Sequence, residues 1–211
     1  MQNKLKTTYI TLNALMLWFA LALQFYISTE AYMATGRAFA GAIIQIVSFY
    51  TIQTNLLIAV ALTAILLKPA SAWGRFFSRT AVLTAIAVYI CIVGLIYTTV
   101  LKGLIQLDGL FRLADLLLHT ISPILFIIFW LLFVPKEAIK WTQILLWAIF
   151  PLLYLFYSLI RGAICGDYPY PFVNAAKLGY GQVAINSIGV LVVFLVFSGV
   201  FIGLVRVMRK G

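Results

Sequence analysis

Histidine occurs once in this chain, at His119, within an apolar stretch from Leu113 to Trp130 that reads LADLLLHTISPILFIIFW. Asp115 stands four residues before it and Pro123 four residues after it. Residues four apart stack on one face of a helix, so the carboxylate can meet the imidazole. Proline has no N–H to give, so the carbonyl of residue 119 loses its helical partner and a kink is expected there. The chemistry open to such a group is proton transfer, with His119 as base and Asp115 accepting its second N–H. A first-turn carboxylate also meets a favourable helix dipole, which gives Asp115 a purely structural reading. His119 has one as well, as a hydrogen-bonded histidine without chemistry.

A second stretch, SFYTIQTNLL at residues 48–57, supplies the group such a base would serve. Thr51 and Asn55 are four apart and share a face, with Thr54 on an adjacent line. A threonine hydroxyl is a poor nucleophile until a base takes its proton. Asn55 and Asn186 are candidate oxyanion donors. The same Thr and Asn types also hold membrane helices together through hydrogen bonds, and spacing alone leaves both readings open. A third stretch, RGAICGDYPYPF at 161–172, carries Arg161 and two Tyr-Pro pairs, the first at Tyr168. The residue before each proline is pushed to extended backbone, so a rigid outer lid is expected. Tyr168 fits either substrate gating or the ordinary aromatic belt. Arg161 fits either a clamp for a carboxylate or phosphate, or a side chain snorkelling to the headgroups.

The elements that must position these residues are membrane helices. Of 211 residues, 64% are hydrophobic and 9% charged, with a mean hydropathy of +1.10. A soluble domain carries about 25% charged residues. Six apolar runs, at about 7–28, 43–67, 80–101, 113–134, 141–161 and 183–205, are each long enough to cross roughly 30 Å of hydrocarbon. Backbone groups in lipid must pair internally, so each is read as a helix. The expected fold is all-α, a single six-helix transmembrane domain over residues 1–211. Gly94, Pro123 and Pro151 are read as packing or kink positions within it.

Ten Lys and Arg fall on one side of these spans (residues 4, 6, 68, 75, 79, 136, 140, 206, 209 and 210) and five on the other (Arg37, Lys102, Arg112, Arg161 and Lys177). The excess of basic residues places both termini in the cytoplasm. It also accounts for the net charge of +10 without nucleic acid, for which no recognition motif exists. In this topology His119 lies about six residues into its span, roughly 9 Å down from the outer face, and Thr51 about eight residues, roughly 12 Å. Gln182, Asn186 and Ser187 enter at similar depth, so polar groups from four helices are expected to share one outward-facing layer.

Several chemistries are excluded or unsupported. One histidine and few acids leave no metal-ligand spacing, and no cofactor motif such as a Gly-rich phosphate loop is present. Cys91 and Cys165 form no disulfide framework. No internal repeat supports a transporter. Gly199 and Gly203 allow close helix approach within or between chains, so the oligomeric state stays open.

FYTIQTNLL at 49–57, HTISP at 119–123, and WAIFPLLYLFYSLIRG with GDYPYPF across 147–172 together resemble the androgen-induced-protein-like family of multipass membrane proteins, in its prokaryotic six-helix branch. Characterised animal members are threonine hydrolases of fatty acid esters of hydroxy fatty acids, with a threonine in an early span and a histidine in a later one. The resemblance implies Thr51 as nucleophile, with Thr54 as a shifted alternative, and His119 as its partner. Asp115 stands where the animal proteins have an amide, so a third catalytic member remains open. The implied partners are the bilayer and a lipid or amphiphilic ester, and the implied location is a bacterial plasma (inner) membrane. The rival expectation is a non-catalytic lipid- or partner-binding membrane protein built on the same polar layer.

Overall fold

The computed structural model describes residues 2–104 and 106–210, with no side-chain account of residues 2, 3 or 210, so the Lys210 side chain counted above lies outside it. Among the described residues all regular secondary structure is helical, and six helices are long and apolar enough to cross a membrane. These are Lys4–Ala34, Tyr50–Leu67, Thr80–Leu101, Gly109–Phe133, Gln143–Cys165 and Ala175–Arg209. The protein is an all-α bundle of an integral, multipass membrane type.

Helix α1 (Gln2–Ala34) leads to α2 (Phe39–Val47) and α3 (Tyr50–Leu67). A short α4 (Ala72–Phe77), capped by Ser71 Oγ accepting from Gly74 N–H, turns the chain into α5 (Thr80–Ile96). The fourth crossing is α6 (Gly109–Leu116) and α7 (Ser122–Phe133), joined by a π-helical turn over Leu117–Ile121. Then come α8 (Gln143–Cys165), a 3₁₀ turn at Pro171–Val173, and α9 (Ala175–Lys210), which breaks at Gly179 (φ 76°, ψ 155°).

Hydrophobic side chains here are sorted by what they face, bundle or lipid. Helix α5 is central and mostly buried, and packs on α3, α7 and α9. Helix α8 is peripheral and mostly unburied; its main contact is α9, and Leu145, Leu153, Phe156 and Ile164 point outward. Leu17, Leu62, Ile86, Ile90, Phe126 and Trp130 form the fully buried centre. Because α8 leans on α9, space is left between α8, α3 and α5. An aromatic layer divides that space: Phe150 of α8 sits 5.2 Å from Tyr50 and 5.1 Å from Tyr89, ring centre to ring centre.

One expectation is corrected. Residues 43–67 are not one helix, because Phe49 is extended (φ −82°, ψ 130°) and separates α2 from α3. The exposed carbonyls of the break find side chains: Ser48 Oγ donates to Gln45 O at 2.6 Å, Gln53 Nε2 to Val47 O at 3.0 Å, and Tyr154 OH to Ser48 O at 3.0 Å. A break with its polar groups satisfied is tolerable inside a bundle. Its consequence is that Thr51 lies in the first turn of a helix rather than two turns down a span.

Candidate functional site

As the second residue of α3, Thr51 has a backbone N–H with no carbonyl four residues back to receive it. Tyr170 supplies the acceptor: its phenol oxygen lies 3.3 Å from Thr51 N and 3.3 Å from Thr51 Oγ1. The Tyr-Pro loop delivers that phenol. Its start is set by Gly166, in the left-handed region (φ 73°), whose N–H returns to Gly162 O at 2.9 Å. Gly162 in turn is where the Tyr168 ring lies on the helix; a Cβ there would fall 2.1 Å from the ring. Phe172 stacks on Tyr170 at 5.3 Å and Phe49 meets it edge-on at 5.8 Å, which fixes the phenol over the start of α3.

Thr51 and Tyr170 stand on the wall of a narrow pocket between α3, α5, α8 and α9. The rest of the wall is almost wholly apolar, including Ile92, Val93, Leu152, Val190 and Phe194, with Ser187 as a further hydroxyl. The Ser187 hydroxyl is turned back to Val183 O at 2.8 Å. Thr54 is fully buried and lies off that wall; its hydroxyl and that of Tyr50 are neighbours, and neither makes a hydrogen bond of normal geometry.

His119 sits on the π turn Leu117–Ile121. Its Nδ1 is 3.0 Å from Asp115 Oδ1 and 3.3 Å from the Asp115 carbonyl. Tyr97 lies flat on the imidazole, with ring centres 4.3 Å apart and planes 16° apart, and its hydroxyl donates to Asp115 Oδ2. Tyr97 begins a second π turn, Tyr97–Leu101. π turns are uncommon and recur at functional positions, and here two of them face one another across an Asp–His–Tyr cluster. Nothing in the sequence around Tyr97 marks it. Tyr170 had a signal, the second Tyr-Pro pair, but not the depth to which it reaches.

Thr51 and His119 are brought to adjoining segments without a hydrogen bond between them. The link is Asn55, whose Nδ2 donates to Thr51 O at 2.9 Å and to Leu118 O at 3.2 Å. Ser122 Oγ donates to Asn55 Oδ1 at 2.5 Å. Both amide hydrogens of Asn55 are therefore engaged by backbone. Asn186 Nδ2 donates to Phe172 O at 2.9 Å and its Oδ1 accepts from Gln182 Nε2 at 3.0 Å, so it anchors the loop to α9.

Arg161, 8% exposed, is likewise engaged: it donates to Asp167 O and to Gln45 Oε1, both at 2.5 Å, and lies 3.6 Å from Asp167 Oδ2. Arg37 pairs with the same carboxylate at 2.9 Å. One acid thus ties the α1–α2 connection to α8 and the Tyr-Pro loop, while Arg161 itself reaches α2 through Gln45. Among the described residues no cluster of His, Cys, Asp and Glu could hold a metal ion.

No family model, curated protein or solved structure among those compared with the chain matches it.

Proposed function

We propose that the protein is an intramembrane hydrolase of lipid esters in which Thr51 is the nucleophile and His119 the base. The observation that supports this reading is the phenol oxygen held on the Thr51 amide and hydroxyl at the head of an apolar pocket. An acyl carbonyl oxygen placed there would accept from the same N–H, at the positive end of the α3 dipole. The acyl chain would lie along the apolar wall. Thr51 is preferred to Thr54 because only Thr51 reaches the pocket.

In the proposed cycle the ester carbonyl oxygen takes the position of the Tyr170 oxygen, and Thr51 Oγ attacks the carbonyl carbon. The hydroxyl proton is relayed by water to Nε2 of His119, which is the basic nitrogen when Nδ1–H is held by Asp115. The imidazolium returns the proton to the departing alkoxide as the C–O bond breaks. A water, deprotonated by the same nitrogen, then cleaves acyl-threonine and releases the carboxylic acid. Asp115 balances the imidazolium charge, and Tyr97 holds the ring plane. The resemblance to the androgen-induced-protein-like family supports the same pair of residues.

A fluorophosphonate probe on the purified full-length protein tests this. Wild type should label at Thr51, Thr51→Ala should not label, and His119→Ala should label about 100-fold more slowly, the usual scale of general-base catalysis. Ester turnover at wild-type rate in either variant would end the proposal.

A second reading, a non-catalytic lipid-binding protein, is favoured by one observation: His119 does not line the pocket, and its polar partner is Asp115 rather than Thr51. Lipid that copurifies with a protein giving no probe adduct selects this reading.

A further inference from the structure

Beneath the aromatic layer of Tyr50, Phe150 and Tyr89 lies a second cleft between α3, α5, α8 and α4. Its walls are mainly apolar, with Leu56, Val60, Ala85, Leu146 and Trp147 as representatives and Gln53 and Gln143 as the polar exceptions besides Arg79 and the Tyr89 hydroxyl. It reaches the membrane face that carries ten of the fifteen Lys and Arg, where Arg79, at the start of α5, lines its mouth. The guanidinium of Arg79 lies 5.8 Å over the Phe76 ring, with no ion pair among the described residues. Glu137 is the sole acid on that face; the other four are placed by the spans on the opposite side. Trp73, 65% exposed, flanks the same opening at the level where indoles meet headgroups.

The cleft also has the right length. Along α5 it extends from the mouth at Arg79 to Tyr89, ten residues or about 15 Å at the helical rise. That is half of a hydrocarbon core about 30 Å thick, one leaflet deep. Its closed end is the aromatic layer, so a chain entering from the mouth stops short of the Thr51 pocket.

We infer that this cleft is a binding site for an anionic phospholipid of the basic-rich leaflet. One acyl chain lies between α3, α5 and α8, and the phosphate pairs with Arg79. A cation at the mouth that makes no ion pair with Glu137 or any other acid among the described residues, together with the one-leaflet depth, selects a single-chain slot under an anionic headgroup. A zwitterionic lipid could fill the slot but would gain less from the cation.

Native mass spectrometry of the full-length protein, after incubation with phosphatidylglycerol or phosphatidylcholine of identical chains, reads this directly. Wild type should retain phosphatidylglycerol about tenfold over phosphatidylcholine, the scale of one charge-assisted contact. Arg79→Gln should bring the two lipids level, and Val82→Trp should fill the slot and reduce both. Val60→Trp on the opposite wall repeats the blocking test if the first variant does not fold. Thr51→Ala should retain lipid as wild type does, which separates this site from the proposed hydrolase chemistry. Equal retention of the two lipids by wild type overturns the inference, as does unchanged phosphatidylglycerol preference in Arg79→Gln. Displacement by inorganic phosphate at matched concentration, or a dimer that excludes lipid, overturns it too.

Discussion

Pro151 in α8 and Pro123 at the start of α7 remove the same thing, an N–H owed to the carbonyl four residues back, and the two regions answer differently. At Pro151 the freed carbonyl is that of Trp147, and Tyr89 of α5 donates its hydroxyl to it at 2.7 Å. Helix α8 stays a continuous α-helix over Gln143–Cys165. At Pro123 the freed carbonyl is that of His119, and the facing residue on α5 is Gly94, where a Cβ would lie 3.9 Å from that oxygen and 3.6 Å from the proline. Glycine has no side chain to lend. The backbone there widens into the Leu117–Ile121 π turn, and Asn55 of α3 takes the Leu118 carbonyl instead. A helix inside a bundle keeps its α form where a neighbour can pair the orphaned group, and it is remodelled where none can. The remodelled turn is the one that carries His119.

Asn55→Leu should have the largest effect on this contrast. It removes hydrogen bonds to Thr51 O, Leu118 O and Ser122 Oγ from a fully buried position. Unpaired buried polar groups cost about 1–3 kcal/mol each, so a loss of about 3 kcal/mol is expected in reversible unfolding from mixed micelles. A loss below about 1 kcal/mol would show that the π turn holds itself.

Pro123→Ala returns an N–H to the His119 carbonyl and lets the π turn relax to α. The imidazole should rotate off Tyr97, and probe labelling of Thr51 should fall about 100-fold, the scale of an ångström misplacement. Unchanged labelling would separate the turn from the chemistry.

Tyr89→Phe leaves the Trp147 carbonyl unpaired, at a cost of about 1.5 kcal/mol by the same unfolding measurement. Pro151→Ala alone should change stability by less than about 0.5 kcal/mol, because the carbonyl merely exchanges one donor for another. The two together give the sharper test. In the double variant the backbone N–H gained by Pro151→Ala pairs the Trp147 carbonyl, so the cost of Tyr89→Phe should largely vanish and the cycle should show coupling of about 1 kcal/mol. Strict additivity would mean that the Tyr89 hydroxyl contributes elsewhere.

Much of the bundle was legible because long apolar runs in a lipid solvent have one solution, the helix, and the six crossings lie where those runs do. The Asp115–His119 contact was legible for the same reason, since a four-residue spacing on a helix is a geometric fact. The break at Phe49 was not. An apolar run reads alike whether or not one residue in it is extended, and the side chains that make the break tolerable, Tyr154 among them, come from far along the chain. Tyr97 and Tyr170 were hidden in the same way, as ordinary interfacial aromatics until the packing put one on the imidazole and the other on the Thr51 amide.

The amino-acid order by itself determined the class of the protein, the number of its crossings, the face that carries most of the basic charge, and the pairing of Asp115 with His119. All of these depend on composition, on local spacing or on the solvent. Tertiary structure alone decided that Thr51 begins a helix, that Tyr170 covers it, that Arg161 is held by Asp167 and Gln45, and that α8 leans away to open two clefts. Most of these depend on which helix happens to face which, settled by packing between residues roughly a hundred positions apart, and the Arg161–Asp167 contact on how the chain turns after Gly166, where sequence spacing carries no geometric information.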